Sequence, residues 1–222
     1  MAEPIRIAIV GAESTGKTAL AQALALRLTD LTGRRCTWVD EWLRHWCEHA
    51  GRTPRPDEQR AIAQHQQALI DAAAASHDVV VCDTTALMTA VYSDMLFDDR
   101  SLVDYAIAEQ RRCQLTLLTA LDIQWVPDGL QRDGPQVREP VDNRVRALLI
   151  GHQLPWALVG GQGAARLEAA VNAVAPLLRP ASAPGSGLFT RLAERDAAAA
   201  AWRWVCNDCD VPDCEHRLMQ AR

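Results

Sequence analysis

The sequence has no apolar run long enough to cross a bilayer as a helix, which sets aside an integral membrane protein of that kind. Its opening residues, MAEPIRIAIV, lack both a basic n-region and a small-residue cleavage site, so the expected location is cytoplasmic, with no membrane partner. Excess positive charge is missing too. A formal net charge of −5 and a pI near 5.7 speak against a general nucleic-acid surface, leave room for a local basic cleft, and favour small-molecule chemistry. Internal repeats are absent, which removes solenoid architectures. What remains is 222 residues, 49% of them hydrophobic, enough for one full α/β domain and a small appendage. The 7 cysteines form no evident disulfide framework: Cys36, Cys47, Cys82 and Cys113 are scattered through apolar or helical contexts and read as reduced core or boundary residues.

The chain is organised around the stretch from Ile5 to Leu20. Ile5, Ile7, Ile9 and Val10 form a β-branched run suited to a buried parallel strand, and it leads directly into Gly11-Ala12-Glu13-Ser14-Thr15-Gly16-Lys17-Thr18. That octapeptide is a complete P-loop signature. Gly11 and Gly16 allow a turn tight enough to aim successive N–H groups inward, and a helix beginning near Lys17 puts its positive end beneath a phosphate. Lys17 would reach the β- and γ-phosphates of ATP, the Thr18 hydroxyl would ligate Mg²⁺, and the backbone from Gly11 through Ala19 would cradle the rest.

Strands and helices then alternate to the end of a domain over residues 1–179, with 164–178 its last helix. The expected fold is therefore α/β, a nucleoside-kinase-like P-loop NTPase with a parallel sheet covered by helices on both faces. Residues 35–39 read as a second strand ending in Asp40-Glu41, at the carboxyl end where such sheets gather ligands. Two acids there suit catalysis, and they equally suit the N-terminus of the helix that follows. Trp42 and Trp46 in that helix have the spacing of a core-facing stripe, and His45 and His49 share a face as packing or surface residues. A long helix is expected over 57–76. The apolar run Val79-Val80-Val81-Cys82 followed by Asp83 has the form of a Walker B strand, on which Asp83 would hold Mg²⁺ directly or through water. Helices over 85–95 and 101–112 precede a strand over 114–119 that leads to Asp122. From Asp122 to Gly134 turn residues and charges dominate without periodicity, which predicts a loop at the mouth of the site. Arg132 in that loop is the candidate to cover the transferring phosphoryl group, with Arg138, Arg144 and Arg146 beyond it. Arg144 or Arg146 reads as solvated surface.

Residues 180–187 have the composition of a linker, and 188–222 form a separate segment that begins as an alanine-rich helix. Cys206, Cys209, Cys214 and His216 supply four soft or borderline ligands, the number a closed structural zinc site requires. A redox pair, an iron–sulfur cluster and free thiols stay open as alternatives.

Taken together the motifs resemble the NadR-type ribosylnicotinamide kinase domain and related P-loop, AAA-like proteins. The likeness lies in the P-loop with Glu13 third, in Glu41-Trp42-Leu43-Arg44, in Asp83-Thr84-Thr85, and in Asp122-Ile123-Gln124-Trp125-Val126 with Asp128-Gly129 and Arg132. Thr85 stands where the family has an acid, Gln124 where it has proline, and Arg132 comes one residue late. The resemblance implies ATP-dependent phosphorylation of the 5′-hydroxyl of nicotinamide riboside. Lys17, Glu41, Asp83 and Arg132 would be catalytic, with Glu41 or Asp40 orienting or deprotonating the hydroxyl. Asp40, Arg44, Asp122, Trp125 and Asp128 would bind the substrate, Trp125 offering a flat face to the cationic pyridinium. The implied partners are a nucleoside and no nucleic acid, with a homo-oligomer or a protein contact through the C-terminal segment left open. A rival reading is a nucleotide-binding regulatory module whose cysteine-bearing tail answers to ATP.

Overall fold

Ile7, Ala8, Ile9 and Val10 are all fully buried, and their alternation sends them to two different helical layers. They belong to β1 (Ile5–Val10), the central strand of a five-stranded, wholly parallel sheet in a computed structural model that describes residues 3–126 and 134–178. The other strands are β2 (Cys36–Val39), β3 (Val79–Asp83), β4 (Leu115–Thr119) and β5 (Trp156–Val159), in the spatial order β2-β3-β1-β4-β5. The helices are α1 (Lys17–Thr32), α2 (Trp42–Ala50), α3 (Gln59–Ala74), α4 (Ala86–Phe97), α5 (Val103–Gln110), α6 (Arg138–Gly151) and α7 (Gly163–Leu178).

On one face, Ile7 and Ile9 join Val79, Val81, Leu117 and Val159 beneath Leu20, Leu24 and Leu28 of α1 and Ala170 and Val174 of α7. On the other face, Ala8, Val10 and Leu118 pack under Leu87, Met88 and Val91 of α4 and Val141, Val145 and Leu149 of α6, while Val80 and Cys82 meet Ile70 and Ala74 of α3. Strands covered on both sides need continuous apolar runs, which residues 7–10 of β1 and 79–82 of β3 supply, while Arg6, near the start of β1, pairs with Asp71 at 2.9 Å. All four cysteines at positions 36, 47, 82 and 113 are free thiols. No helix among the described residues is long and apolar enough to cross a membrane.

Two local expectations change. The helix expected from Asp57 starts at Gln59, because Pro56–Glu58 forms a 3₁₀ turn in which Glu58 accepts the Arg55 N–H at 2.7 Å and grips Arg52 with both carboxylate oxygens at 2.7 Å. The tryptophans of α2 are half-buried rather than core: Trp42 stacks on His65 at 4.0 Å between centroids, and Trp46 lies under the Arg52 guanidinium. Thr85, where the resembling family has an acid, caps α4 by accepting the Leu87 N–H. Its hydroxyl also donates to Gln110 Oε1 at 2.6 Å, and Gln110 Nε2 donates to Thr116 at 2.7 Å, so a buried polar chain ties α4 and α5 to β4.

Candidate active site

Three strand ends meet at Gly11. The register sets Ile9 beside Asp83 and Val10 beside Leu118, so the loop leaving β1 rises between Asp83 and Thr119. A Cβ on Gly11 would stand 2.2 Å from Thr119 Oγ1 and 3.3 Å from that residue's backbone N and O, and Gly11 has φ +146°; glycine is required on both counts. The loop is then pinned from inside. Thr15 Oγ1 lies 2.8 Å from the Ala12 carbonyl oxygen and 2.7 Å from Thr119 Oγ1, while Arg166 of α7, 4% exposed, donates to the Thr15 carbonyl. Gly16, left-handed at φ 74°, opens α1 with no side-chain cap, which leaves first-turn N–H groups for an anion. Lys17 Nζ donates to the Ala12 carbonyl at 2.9 Å, holding its charge over the loop.

Asp83 ends β3 fully buried, and neither carboxylate oxygen completes a hydrogen bond. Burial, then the negative charge of Glu41, push its carboxyl from 3.8 up to about 6, with Asp40 adding to the effect; the nearby Thr18 hydroxyl and Lys17 ammonium pull the other way. An orphaned carboxylate beside a threonine hydroxyl at a phosphate loop fits Mg²⁺, which takes one or two protein oxygens and draws its other ligands from phosphate and water. Thr18 and Asp83 would hold it. No cluster of three or more His, Cys, Asp or Glu side chains among the described residues is arranged to bind a metal by itself.

The structure separates the two adjacent acids after β2. Asp40 is engaged in its own turn, accepting the Glu41 N–H at 3.0 Å and meeting His45 Nε2 at 2.9 Å. Glu41 is the N-terminal cap residue of α2 and the larger influence on Asp83. Gln66 of α3, 3% exposed, spans the peptides on both sides of Glu41: its Nε2 donates to the Asp40 carbonyl at 3.1 Å, and its Oε1 accepts the Trp42 N–H at 2.7 Å. One carboxamide thus fixes the backbone that aims the acid. Nothing marked Gln66 among the several glutamines of α3 until α2 and α3 were seen to pack together.

The sequence model of the AAA domain family matches residues 6–166. The chain belongs to that family. No curated protein sequence matches it. Two solved structures share the fold: a NadR protein in complex with NR, and a NadR protein in complex with NAD and AMP-PNP. Each has a TM-score of 0.64 and 17% identity over 83% of this chain, covering 53% and 52% of the respective NadR chains. This chain therefore spans about half the length of either. The fold is an α/β P-loop NTPase of the NadR-like kind, as the motifs led one to expect.

Around this AAA-family core the remaining candidates take up distinct positions. Asp122 is joined to Arg166 by an ion pair and accepts the Gly161 N–H at 2.5 Å. Burial pushes its carboxyl up, but the Gly161 N–H and the Arg166 charge outweigh that and hold it below the usual range. Its charge is thus spent on a clamp between the β4 exit, the β5 exit and the P-loop. A charged residue at 166, in helical step with the buried Ala170 and Val174, was the sequence signal for that clamp. The segment after β4 lies on the loop itself, where the Val126 N–H donates to Ser14 Oγ at 2.9 Å. Trp125 beside it is half-buried, with its indole N–H enclosed and unpartnered. Arg44 lies 3.8 Å from Glu41, and Glu13 is buried in the loop. Asp128, Arg132, the linker and the ligand set Cys206, Cys209, Cys214 and His216 lie outside the described residues.

Proposed function

We propose that this AAA-family chain is an ATP-dependent kinase that phosphorylates the 5′-hydroxyl of a nucleoside, with nicotinamide riboside as the acceptor. The observation that carries the reading is the unsatisfied, buried Asp83 facing Glu41 across the mouth of a fully formed P-loop. A nucleotide-binding switch would need the loop; it would not need a second acid held in place by a dedicated carboxamide. The NadR fold, solved with NR in one case and with AMP-PNP in another, supports the same direction.

In this reading the α1 N-terminal amides and Lys17 bind the β- and γ-phosphates and draw negative charge away from the bond that breaks. Mg²⁺, when bound at Thr18 and Asp83, would neutralise phosphate charge. Glu41 accepts the proton of the acceptor hydroxyl as its oxygen attacks the γ-phosphorus. The bond from phosphorus to the β–γ bridging oxygen breaks, ADP leaves, and the Glu41 proton passes to water. Arg132 covers the transferring group. Trp125 stacks on the pyridinium, where its ring face attracts the cation, and Asp40, Arg44 and Asp128 complete the acceptor side, while Asp122, expected there from the sequence, serves the clamp on the P-loop. Residues 188–222, beyond the 180–187 linker, are read as a zinc-stabilised appendage to the 1–179 domain, and a zinc-to-protein ratio measured on the full chain tests that.

The central test is ADP release from Mg·ATP across a panel of acceptors: nicotinamide riboside, nicotinate riboside, common nucleosides and small alcohols. Turnover with nicotinamide riboside at least tenfold more efficient than with the others is the expected result; tight ATP binding with no acceptor-dependent turnover would establish the regulatory-module reading instead. Trp125→Ala should raise KM for the riboside and leave ATP binding nearly intact. An unchanged KM removes Trp125 from the acceptor site.

A further inference from the structure

We propose that β2 is a dimerisation edge: two copies of this chain pair their β2 strands antiparallel about a two-fold axis at Thr37, joining two five-stranded sheets into one of ten strands. The inference goes beyond the kinase reading and does not depend on it.

β2 ends the sheet, and no strand among the described residues pairs with its outer side. The direction of its peptide groups follows from the ladder. With Cys36 in register with Val79, and the Arg35 carbonyl accepting the Val79 N–H at 3.3 Å, Thr37 and Val39 turn their peptide groups toward β3. Cys36 and Trp38 therefore turn theirs outward, where the Trp38 carbonyl meets the Thr37 hydroxyl at 3.4 Å and no other donor among the described residues. Edge strands are normally guarded against foreign pairing by a lysine, a proline, a bulge or a cover. The stretch CTWV carries none of the first three, and Trp38 is 39% exposed on the face of the sheet that α1 covers.

Those outward groups fix the register of an antiparallel partner. Cys36 of one copy falls opposite Trp38 of the second and exchanges both N–H···O bonds with it; the symmetric pair repeats this, so hydrogen bonds close on both sides of Thr37. The two Thr37 side chains then face each other across the axis, and the two Trp38 rings lie on the diagonal, within reach of one another. The same two-fold carries Arg34 of each copy toward Asp40 of the other, at both ends of the ribbon. Arg34 gives Nη2 to the Leu178 carbonyl at 3.2 Å and has no acidic partner among the described residues, and the Asp40 side chain is 45% exposed. Opposite charges at matching ends of an unguarded strand select a second copy of this chain, running antiparallel, as the occupant.

The opposite edge offers no such match. β5 exposes Leu158 by 52%, but Pro155 precedes it and Gly160-Gly161 follow, with no pair of opposite charges beside its ends. Four residues at about 3.3 Å each make a short ribbon, whereas a specific dimer buries roughly 800 Å² per partner. The dimer is therefore one that separates on dilution rather than an obligate one. Because Glu41 follows Asp40 directly, each copy steadies the strand exit that carries the other's acid.

Sedimentation velocity on the full chain, from low-micromolar to sub-millimolar concentration, should show a monomer–dimer equilibrium. Trp38→Lys and, separately, Arg34→Asp should each weaken association at least about tenfold, and adding Asp40→Arg to Arg34→Asp should restore it. Leu158→Lys, on the other edge, should leave it unchanged. Thr37→Cys reads the geometry directly: mild oxidation should join two copies through residue 37, identified by mass spectrometry of the linked peptide, since only this register sets position 37 against itself. A chain that stays monomeric at the highest concentration, a dimer that survives Trp38→Lys or is lost with Leu158→Lys, or a Thr37→Cys protein that forms no such link overturns the proposal. Should Trp38→Lys fail to fold, the charge exchange and the cross-link decide: no rescue by the double variant, or no link at 37, overturns it.

Discussion

Replacing Asp83 by Asn should make the ligand-free protein more stable while destroying its activity. The carboxyl is raised from 3.8 to about 6 by burial and by Glu41. At about 1.4 kcal/mol per pH unit, that displacement is worth about 3 kcal/mol. Because the folded-state value lies above the unfolded one, the favourable contribution is complete below 3.8 and is lost as pH rises through about 6. At pH 8 the parent protein carries the full penalty of an unpaired, buried anion, and Asp83→Asn removes it. For a chain of this size, about 3 kcal/mol corresponds to roughly 6–12 °C in Tm. Thermal melts in EDTA from pH 5 to pH 8 should show the variant gaining on the parent as pH rises. Mg·ATP at about 1,000 times its Kd should reverse the order, since it adds about 4.1 kcal/mol to the protein that binds it. A variant less stable than the parent in EDTA at pH 8, or a Tm difference that does not change with pH, would show that Asp83 is satisfied in the folded state and refute the reasoning.

Of the 23 lysines and arginines in the sequence, only Lys17 is a lysine. An amine-reactive acyl phosphate of ATP should therefore modify one side chain, with excess ATP protecting it, and Lys17→Met should abolish both labelling and ATP binding. Gln66→Met deletes both bonds that flank Glu41 and should lower kcat by about 10-fold or more through misplacement of the acid, while KM for ATP holds steady. A parallel rise in KM for ATP, or an unchanged kcat, would count against Gln66 as a positioning residue. Arg166→Met removes the clamp on Thr15 and Asp122; with Asp122 partly exposed, the expected loss is about 2–3 kcal/mol, read as a lower Tm and weaker ATP binding together.

Contiguous features were legible in the amino acids because their causes are local. The P-loop needs glycine where φ is positive and where Thr119 crowds Gly11, and both glycines are written into one octapeptide. Likewise the stretches of β1 and β3 that helices cover on both faces must be apolar, so residues 7–10 and 79–82 announce buried parallel strands before any packing is seen. Asp83 at the end of such a strand follows for the same reason. The tryptophans of α2 were misjudged, since helical spacing reports which residues share a face and not what that face meets; here it meets His65 and Arg52 at the rim.

Long-range contacts were beyond reach. Gln66 reaches the backbone on both sides of Glu41 because α2 and α3 pack side by side, and Arg166 meets Thr15 because α7 lies next to α1. Asp40, the acid beside Glu41, is engaged by a hydrogen bond from His45, a contact that spacing permits and does not require. Backbone conformation and burial period are properties of neighbours in the chain, so the sequence by itself determined the strands and the phosphate loop. Hydrogen-bond partners and unpaired charges are properties of neighbours in space, and those the tertiary structure alone decided.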